Sequence, residues 1–119
     1  MRILIADDTL SSRELLRSIL ESGGYQVAEA EDGEQLLERA TDFEPDLIIL
    51  DLQMTDLDGR AAAAALRKIP RFKKTPIVAL IAVLADAIPE QMAQAGFTCY
   101  MVKPIRPAQL RKCIAGLLN

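Results

Sequence analysis

The segment LIILDLQMTDLDG, residues 47–59, decides the fold, because an apolar run leads directly into Asp51 and a turn follows. A strand with no polar side is typical of the centre of a parallel sheet that helices cover on both faces. An acid at the carboxyl end of such a strand lies where open α/β sheets bind their ligands. The segment therefore predicts a buried central strand that presents a functional carboxylate.

Apolar strand-like runs and amphipathic helical segments alternate along the whole chain. Predicted strands cover residues 2–6, 25–30, 46–50, 76–83 and 98–102; predicted helices cover residues 10–22, 33–42 and 59–69, with a fourth beginning near Pro89 and a fifth running from Pro107 to near Leu118. Strict alternation implies right-handed crossovers between parallel strands. We therefore expect residues 1–119 to form one three-layer (βα)5 domain of the α/β class, with a doubly wound five-stranded parallel sheet.

Composition excludes several classes of protein. The 119 residues include 14 basic and 17 acidic side chains, a net charge of −3, whereas nucleic-acid-binding surfaces are basic. No apolar run approaches the roughly 20 residues that span a bilayer. No signal peptide precedes the first strand, and the two cysteines are too few for a disulfide framework. We expect a soluble, cytoplasmic protein that binds neither nucleic acid nor membranes.

The sequence contains no histidine. This absence excludes a Ser-His-Asp triad, a histidine-ligated zinc site and a phosphohistidine within this chain. Acid–base or metal chemistry must therefore use carboxylates, lysine or hydroxyl groups.

Charged side chains follow three of the predicted strands. Asp7 and Asp8 end the first strand, Asp51 ends the third and Lys103 ends the fifth. Helix capping or solvation explains any one of them, but it explains less well why all four lie at the same edge of a parallel sheet. Crowded carboxylates repel each other unless a cation holds them, and an oxygen-only site suits Mg²⁺.

Three motifs give the chain a family resemblance. ADD at residues 6–8, the segment at residues 47–59 and YMVKP at residues 100–104 together resemble the receiver domain of bacterial two-component response regulators. The resemblance covers the whole chain. It implies a flavodoxin-like fold with strand order 2-1-3-4-5, and a phosphoacceptor function.

The resemblance also implies roles for the strand-end residues. Asp51 would be the nucleophile that accepts a phosphoryl group. Asp8 and Asp51 would bind Mg²⁺ directly, Asp7 would reach it largely through water, and the backbone carbonyl of Gln53 would complete the protein ligands. The domain would catalyse only its own phosphorylation and dephosphorylation, and would not otherwise be an enzyme.

Further expectations concern the lysine and the partners. Lys103 would pair with a phosphoryl oxygen, and the Lys103–Pro104 bond is usually cis in this family. The donor would be a histidine kinase or a histidine phosphotransfer protein. An output domain or partner would use the face formed by the fourth helix, the fifth strand and the fifth helix, which includes Arg106, Arg111 and Lys112; solvated surface charge is an equally good explanation of these three.

One position departs from the family pattern. Ile81 stands where the fourth strand normally ends in Thr or Ser, whereas the switch aromatic, Tyr100, is present. Isoleucine cannot hydrogen-bond to a phosphoryl group. A pseudo-receiver, an interaction module uncoupled from phosphorylation, is therefore an alternative to a working switch. An enzyme of flavodoxin-like shape is disfavoured, because no glycine-rich loop follows the first strand and aromatic residues are few.

Two further positions carry smaller expectations. By the same resemblance, Val83 stands at a position that tunes dephosphorylation in this family, and valine cannot position a water molecule, which predicts slow hydrolysis of the phosphorylated form. Thr55 replaces the proline that the family usually has after the acid-bearing strand, a change that we expect to matter little.

Overall fold

The structure, a computed structural model, describes residues 1–52, 59–82 and 93–118. Within these ranges the strands are β1 Arg2–Ala6, β2 Gln26–Ala30, β3 Leu47–Asp51, β4 Ile77–Ile81 and β5 Cys99–Val102; the helices are α1 Leu10–Ser22, α2 Gly33–Phe43, α3 Gly59–Arg67 and α4 Pro107–Leu118, with a short 3-10 turn at Pro70–Phe72. The predicted helix start near Pro89 lies outside the described residues.

The five strands form one parallel sheet in the order β2-β1-β3-β4-β5. This arrangement confirms the predicted fold class and strand order. The central strand, β3, pairs with β1 on one side and β4 on the other, so that Leu50 lies opposite Ala6 and Asp51 lies opposite Leu80. The strand that the opening segment predicts is therefore the centre of the sheet.

Alternating strand residues build two cores, one on each face of the sheet. Ile48 and Leu50 pack with α2 and α3, whereas Leu47 and Ile49 pack with α1 and α4. Every residue of β3 is buried. A strand that is covered on both faces has no solvent-facing side, which explains why its sequence is continuously apolar up to Asp51.

The ends of α1 and α2 follow the signals in the sequence. Helix α1 stops before Gly23, and Gly24 adopts a φ of +89°, a conformation that glycine reaches without steric cost. Asp32 caps α2, where its Oδ1 accepts a hydrogen bond of 2.8 Å from the Gln35 backbone N–H. The Gln35 side chain accepts in turn from the backbone N–H of Glu31, one residue before the position that a standard capping box uses.

Two predicted elements are shorter in the structure by two residues or more. Helix α3 ends at Arg67 rather than at residue 69, because Pro70 disfavours a helical conformation at the residue before it. The Arg67 guanidinium ties the turn that follows by donating to the backbone carbonyls of Phe72, Thr75 and Gly96. Strand β4 ends at Ile81, whereas the predicted strand continued to residue 83, which lies outside the described residues.

The start of α3 lies directly against the residue that follows Asp51. A Cβ atom at Gly59 would lie 2.3 Å from Leu52 Cδ2 and 3.1 Å from Leu52 Cα. The absence of a side chain at Gly59 therefore permits this close approach.

Among the described residues, no helix is long and apolar enough to cross a membrane.

Candidate functional site

Three carboxylates converge at the carboxyl edge of the sheet. Oxygen atoms of Asp7, Asp8 and Asp51 all lie within 4.8 Å of one another. The convergence follows from topology, because β1 and β3 are neighbours and end at the same level, with Ala6 opposite Leu50. The predicted meeting of the acids from strands 1 and 3 is therefore confirmed.

Two of these carboxylates are removed from solvent. Asp7 is 0% exposed and Asp51 is 2% exposed, whereas Asp8 is partly exposed. Burial, together with the smaller effect of the nearby Asp51 charge, raises the pKa of Asp7 above its usual range. The Oδ1 atom of Asp7 accepts a hydrogen bond of 2.9 Å from the Thr9 backbone N–H. When both Asp7 and Asp51 are ionised, the buried Oδ2 atom of Asp7 has no hydrogen-bond donor among the described residues.

Lys103 supplies a positive charge at this site. Its Nζ donates a hydrogen bond of 2.8 Å to Asp51 Oδ2, and its backbone N–H donates to the carbonyl of Ile81 at the end of β4. The Lys103–Pro104 peptide bond is cis, as expected. Three carboxylates against one ammonium group leave an excess of negative charge when all four groups are ionised.

The donor set fits a hard divalent cation. The three acids offer oxygen atoms only, and one of the buried oxygens has no hydrogen-bond donor in the part of the chain that the structure describes, so a cation there would give that atom a partner. Oxygen-only sites built from a few carboxylates suit Mg²⁺. Gln53, whose carbonyl is the expected additional ligand, lies outside the described residues.

Ile81 and Tyr100, the two positions expected to form the switch, lie in the same core. Ile81 is 1% exposed at the end of β4, and it packs in the cluster on the α2 and α3 face of the sheet. Tyr100 is partly buried on β5 and packs against that same cluster. An apolar side chain therefore occupies the position where the family pattern has a hydroxyl group. Val83 and Thr55 lie outside the described residues.

The sequence did not predict the role of Arg13, whose guanidinium holds the backbone of the acidic site at Asp7. Arg13 is 6% exposed, its Nη1 donates a hydrogen bond of 2.8 Å to the backbone carbonyl of Asp7, and its Nε pairs with Glu29 Oε1 at 3.1 Å. The available signal was its spacing, because Arg13 shares a helix face with Leu16 and Leu20. A guanidinium on an apolar helix face needs a buried partner, and here one partner is the backbone carbonyl of Asp7, which accepts its hydrogen bond.

A cavity of about 210 Å³ opens beside the acids, between α1 and the turn after β5. Its wall is mostly apolar and includes Leu15 and Ile105, while Asp7 and Lys103 lie at its polar end. Leu15 is 53% exposed. The acidic site thus borders an accessible apolar surface on α1.

The family model of the response regulator receiver domain matches residues 3–115. The chain belongs to this family. The predicted resemblance is therefore confirmed, and this receiver domain is a signalling module of two-component systems.

Relatives of this receiver domain include both complete regulators and parts of larger proteins. Chemotaxis protein CheY of Bacillus subtilis is 32% identical over 99% of this chain and 98% of its own length. Signal transduction histidine-protein kinase BarA of Escherichia coli (strain K12) is 31% identical over 96% of this chain, which spans only 12% of that kinase.

One solved structure bears on the metal. The receiver domain of sensor histidine kinase PA1611 from Pseudomonas aeruginosa is 29% identical, with a TM-score of 0.89 over 98% of this chain and 96% of that chain. It has a magnesium ion coordinated in its active site cleft.

The raised pKa of Asp7 leads to a prediction about the thermal stability of the metal-free protein. Because the folded-state pKa of Asp7 is raised, its ionisation costs stability at neutral pH, and the cost disappears below the pKa of the unfolded chain. We expect Asp7→Asn to raise the metal-free melting temperature at pH 7 by on the order of a few degrees Celsius. The gain should shrink as the pH falls toward about 4.

Thermal melts with and without Mg²⁺ at several pH values measure both effects. Mg²⁺ should raise the melting temperature of the wild type more than that of Asp7→Asn. Glu38→Gln is the matched control, since it removes the same charge from an exposed position on α2. If Asp7→Asn has the melting temperature of the wild type at pH 7, and Mg²⁺ raises both melting temperatures equally, the ionised Asp7 side chain does not destabilise the metal-free protein and the prediction is wrong.

Proposed function

We propose that this receiver domain accepts a phosphoryl group on Asp51, assisted by Mg²⁺ and Lys103, and that residues 1–119 work as one domain. The observation that supports this function best is the position of Asp51: it ends the buried central strand, lies beside Asp7 and Asp8, and pairs with Lys103. A rigid strand holds the nucleophile in one orientation, which in-line attack requires.

The reaction forms one bond and breaks another. A carboxylate oxygen of Asp51 attacks phosphorus, while the bond between phosphorus and the donor's histidine nitrogen breaks and its electron pair leaves with the nitrogen. The product is an acyl phosphate. The Nζ atom of Lys103 donates a hydrogen bond of 2.8 Å to Asp51 Oδ2. From this position it is close enough to pair with a negatively charged oxygen of the phosphoryl group on Asp51.

Asp8 and Asp51 would bind Mg²⁺ directly, Asp7 would bind largely through water, and the Gln53 carbonyl is the proposed additional ligand. When bound, the cation neutralises charge that gathers on the phosphoryl oxygens. The chain's own contribution is to hold the ligands. Arg13 fixes the backbone at Asp7, and the pairing of β1 with β3 fixes the distance between the acids.

The phosphodonor is a histidine kinase or a histidine phosphotransfer protein, since this chain contains no histidine. Such a donor has to cover the carboxyl edge of the sheet to reach Asp51. The exposed side chains of Leu10 and Leu15 on α1 lie at this end of the molecule and offer it an apolar contact.

The output surface is proposed on the side of β5 and α4, the helix that the sequence analysis predicted as the fifth. A cleft of about 330 Å³ lies beside Tyr100 and is also lined by Arg106 and Gln109. Arg111 points elsewhere, since its Nη2 lies 3.4 Å from Ser22 Oγ at the end of α1. Of the two arginines that the sequence suggested for this face, Arg106 is therefore the better candidate for a partner contact near Tyr100.

A second candidate function rests on Ile81. A buried isoleucine at the end of β4 offers no hydrogen bond to a phosphoryl group, and the hydroxyl is the expected link between phosphorylation and Tyr100. A pseudo-receiver would keep the fold and the acids, while its partner surface would not respond to phosphorylation.

The assignment of Asp51 is tested by chemical phosphorylation. With acetyl phosphate and Mg²⁺, we expect one phosphoryl group per wild-type chain, located on Asp51 by mass spectrometry. Asp51→Asn keeps the side-chain shape but lacks the nucleophile, and should lose the modification. Asp42→Asn, an exposed acid on α2, is the control and should be modified like the wild type. Equal modification of Asp51→Asn would refute the assignment.

The choice between switch and pseudo-receiver is tested at Ile81. A hydrogen bond to a charged group is worth about 1.5–3 kcal/mol, which matches a typical allosteric coupling energy. We expect beryllofluoride, a phosphoryl mimic, to cause small NMR shifts at Tyr100 and along β5 in the wild type. Ile81→Thr should restore the hydrogen bond and enlarge those shifts.

Ile81→Val is the matched control, because valine has nearly the shape of threonine but no hydroxyl group. It should respond like the wild type. Large and equal shifts in all three proteins would mean that the domain relays its signal without the hydroxyl, and would remove the main support for a pseudo-receiver.

A further inference from the structure

Two cysteines that are distant in sequence meet at the seam between the sheet and the C-terminal helix. Cys99 begins β5 and Cys113 lies within α4, 14 positions along the chain, yet their Sγ atoms are 3.4 Å apart. A disulfide bond is about 2.0 Å long, so the sulfur atoms need to approach by only about 1.4 Å to form one.

The surroundings of the pair permit both bond formation and access from solvent. β5 is an edge strand of the sheet, and both cysteines are partly exposed. Both are partly buried and pack against the core that α1 and α4 cover. Neither thiol contacts the acids or Lys103, so this pair is separate from the phosphoryl site.

We propose that Cys99 and Cys113 are a modification site: they form a reversible intramolecular disulfide by exchange with a low-molecular-weight disulfide such as oxidised glutathione. The bond links β5, which contains Tyr100, directly to α4, which begins one residue after Arg106. It requires no metal and no phosphoryl group, so it stands independently of the function proposed for Asp51.

The exchange has two balanced steps. In the first, the Cys113 thiolate attacks one sulfur of the small disulfide, and one small thiolate leaves. In the second, Cys99 gives up its proton to solvent and attacks the Cys113 sulfur of the mixed disulfide, and the second small thiolate leaves. The protein loses two electrons and two protons, and the small disulfide is reduced to two thiols.

The order of the steps follows from the environment of Cys99. Burial, reinforced by the adjacent Cys113, raises the pKa of the Cys99 thiol to about 12. Its thiolate is therefore scarce at neutral pH, and Cys113 makes the first attack. In the second step the short distance between the sulfur atoms compensates for this scarcity, because the attack is intramolecular.

The test uses the whole reduced chain in mixtures of oxidised and reduced glutathione. After alkylation of the remaining thiols, intact mass spectrometry should find a monomer that is lighter by two hydrogen atoms and carries no alkyl group. Its equilibrium constant should be at least about tenfold larger in the folded chain than in urea, where only loop closure favours the bond. Dithiothreitol should reverse it.

Single variants test the order of attack. Cys99→Ser should accumulate glutathione on Cys113, since nothing remains to resolve the mixed disulfide. Cys113→Ser should react with oxidised glutathione at least about tenfold more slowly than Cys99→Ser. Circular dichroism of both variants checks that they are folded.

Three results would overturn the proposal. One is a wild-type product that carries two glutathione groups instead of an internal bond. Another is oxidation that yields only disulfide-linked dimers of the chain and no internally bonded monomer. The third is an equilibrium constant no larger in the folded chain than in urea, because the native geometry would then contribute nothing.

Discussion

Repulsion among Asp7, Asp8 and Asp51 is the interaction on which the rest of the site depends. Their oxygen atoms lie within 4.8 Å of one another, and two of the three side chains are buried. Burial, together with the smaller effect of the nearby Asp51 charge, raises the pKa of Asp7, so that its ionised form is disfavoured. The sheet has to hold these groups together against that repulsion. It does so because Asp51 ends β3 and Asp7 and Asp8 directly follow β1, and residues of both strands pack in the cores on the two faces of the sheet.

One cation, Lys103, reduces this cost without removing it. Lys103 reaches Asp51 from the end of β5, and Arg13 holds the carbonyl of Asp7 while its own charge is balanced by Glu29. The buried Oδ2 of Asp7 still lacks a donor among the described residues when both neighbouring acids are ionised. A divalent cation among these carboxylates would relieve the repulsion, and the buried strand β3 would hold Asp51 in one orientation for the attack that we propose. The same repulsion, together with burial, explains why removing one carboxylate should stabilise the metal-free protein.

Sequence patterns predicted those features that depend on local chemistry and on the order of elements. The apolar run before Asp51 predicted the central strand, and alternation predicted a parallel sheet. The strand order that places β1 beside β3, and therefore Asp7 close to Asp51, was implied by the family resemblance. Features that depend on how a helix seats on the sheet were not predictable in this way. Arg13 and the approach of Cys99 to Cys113 both require the rotation and depth of a helix, which periodicity alone does not give. The end of α3 was missed because Pro70 limits the residue before it, an effect that the alanine-rich helical pattern concealed.

The most direct test of this account is a crystal structure of the chain with Mg²⁺ and beryllofluoride bound. The account predicts beryllium attached to an Asp51 oxygen and a cation about 2.0–2.1 Å from oxygens of Asp8 and Asp51. It also predicts that Lys103 Nζ has moved from Asp51 Oδ2 to a fluorine atom. A structure at saturating concentrations of both ions would contradict the account if Lys103 remained on Asp51 Oδ2 and no cation lay among the three carboxylates.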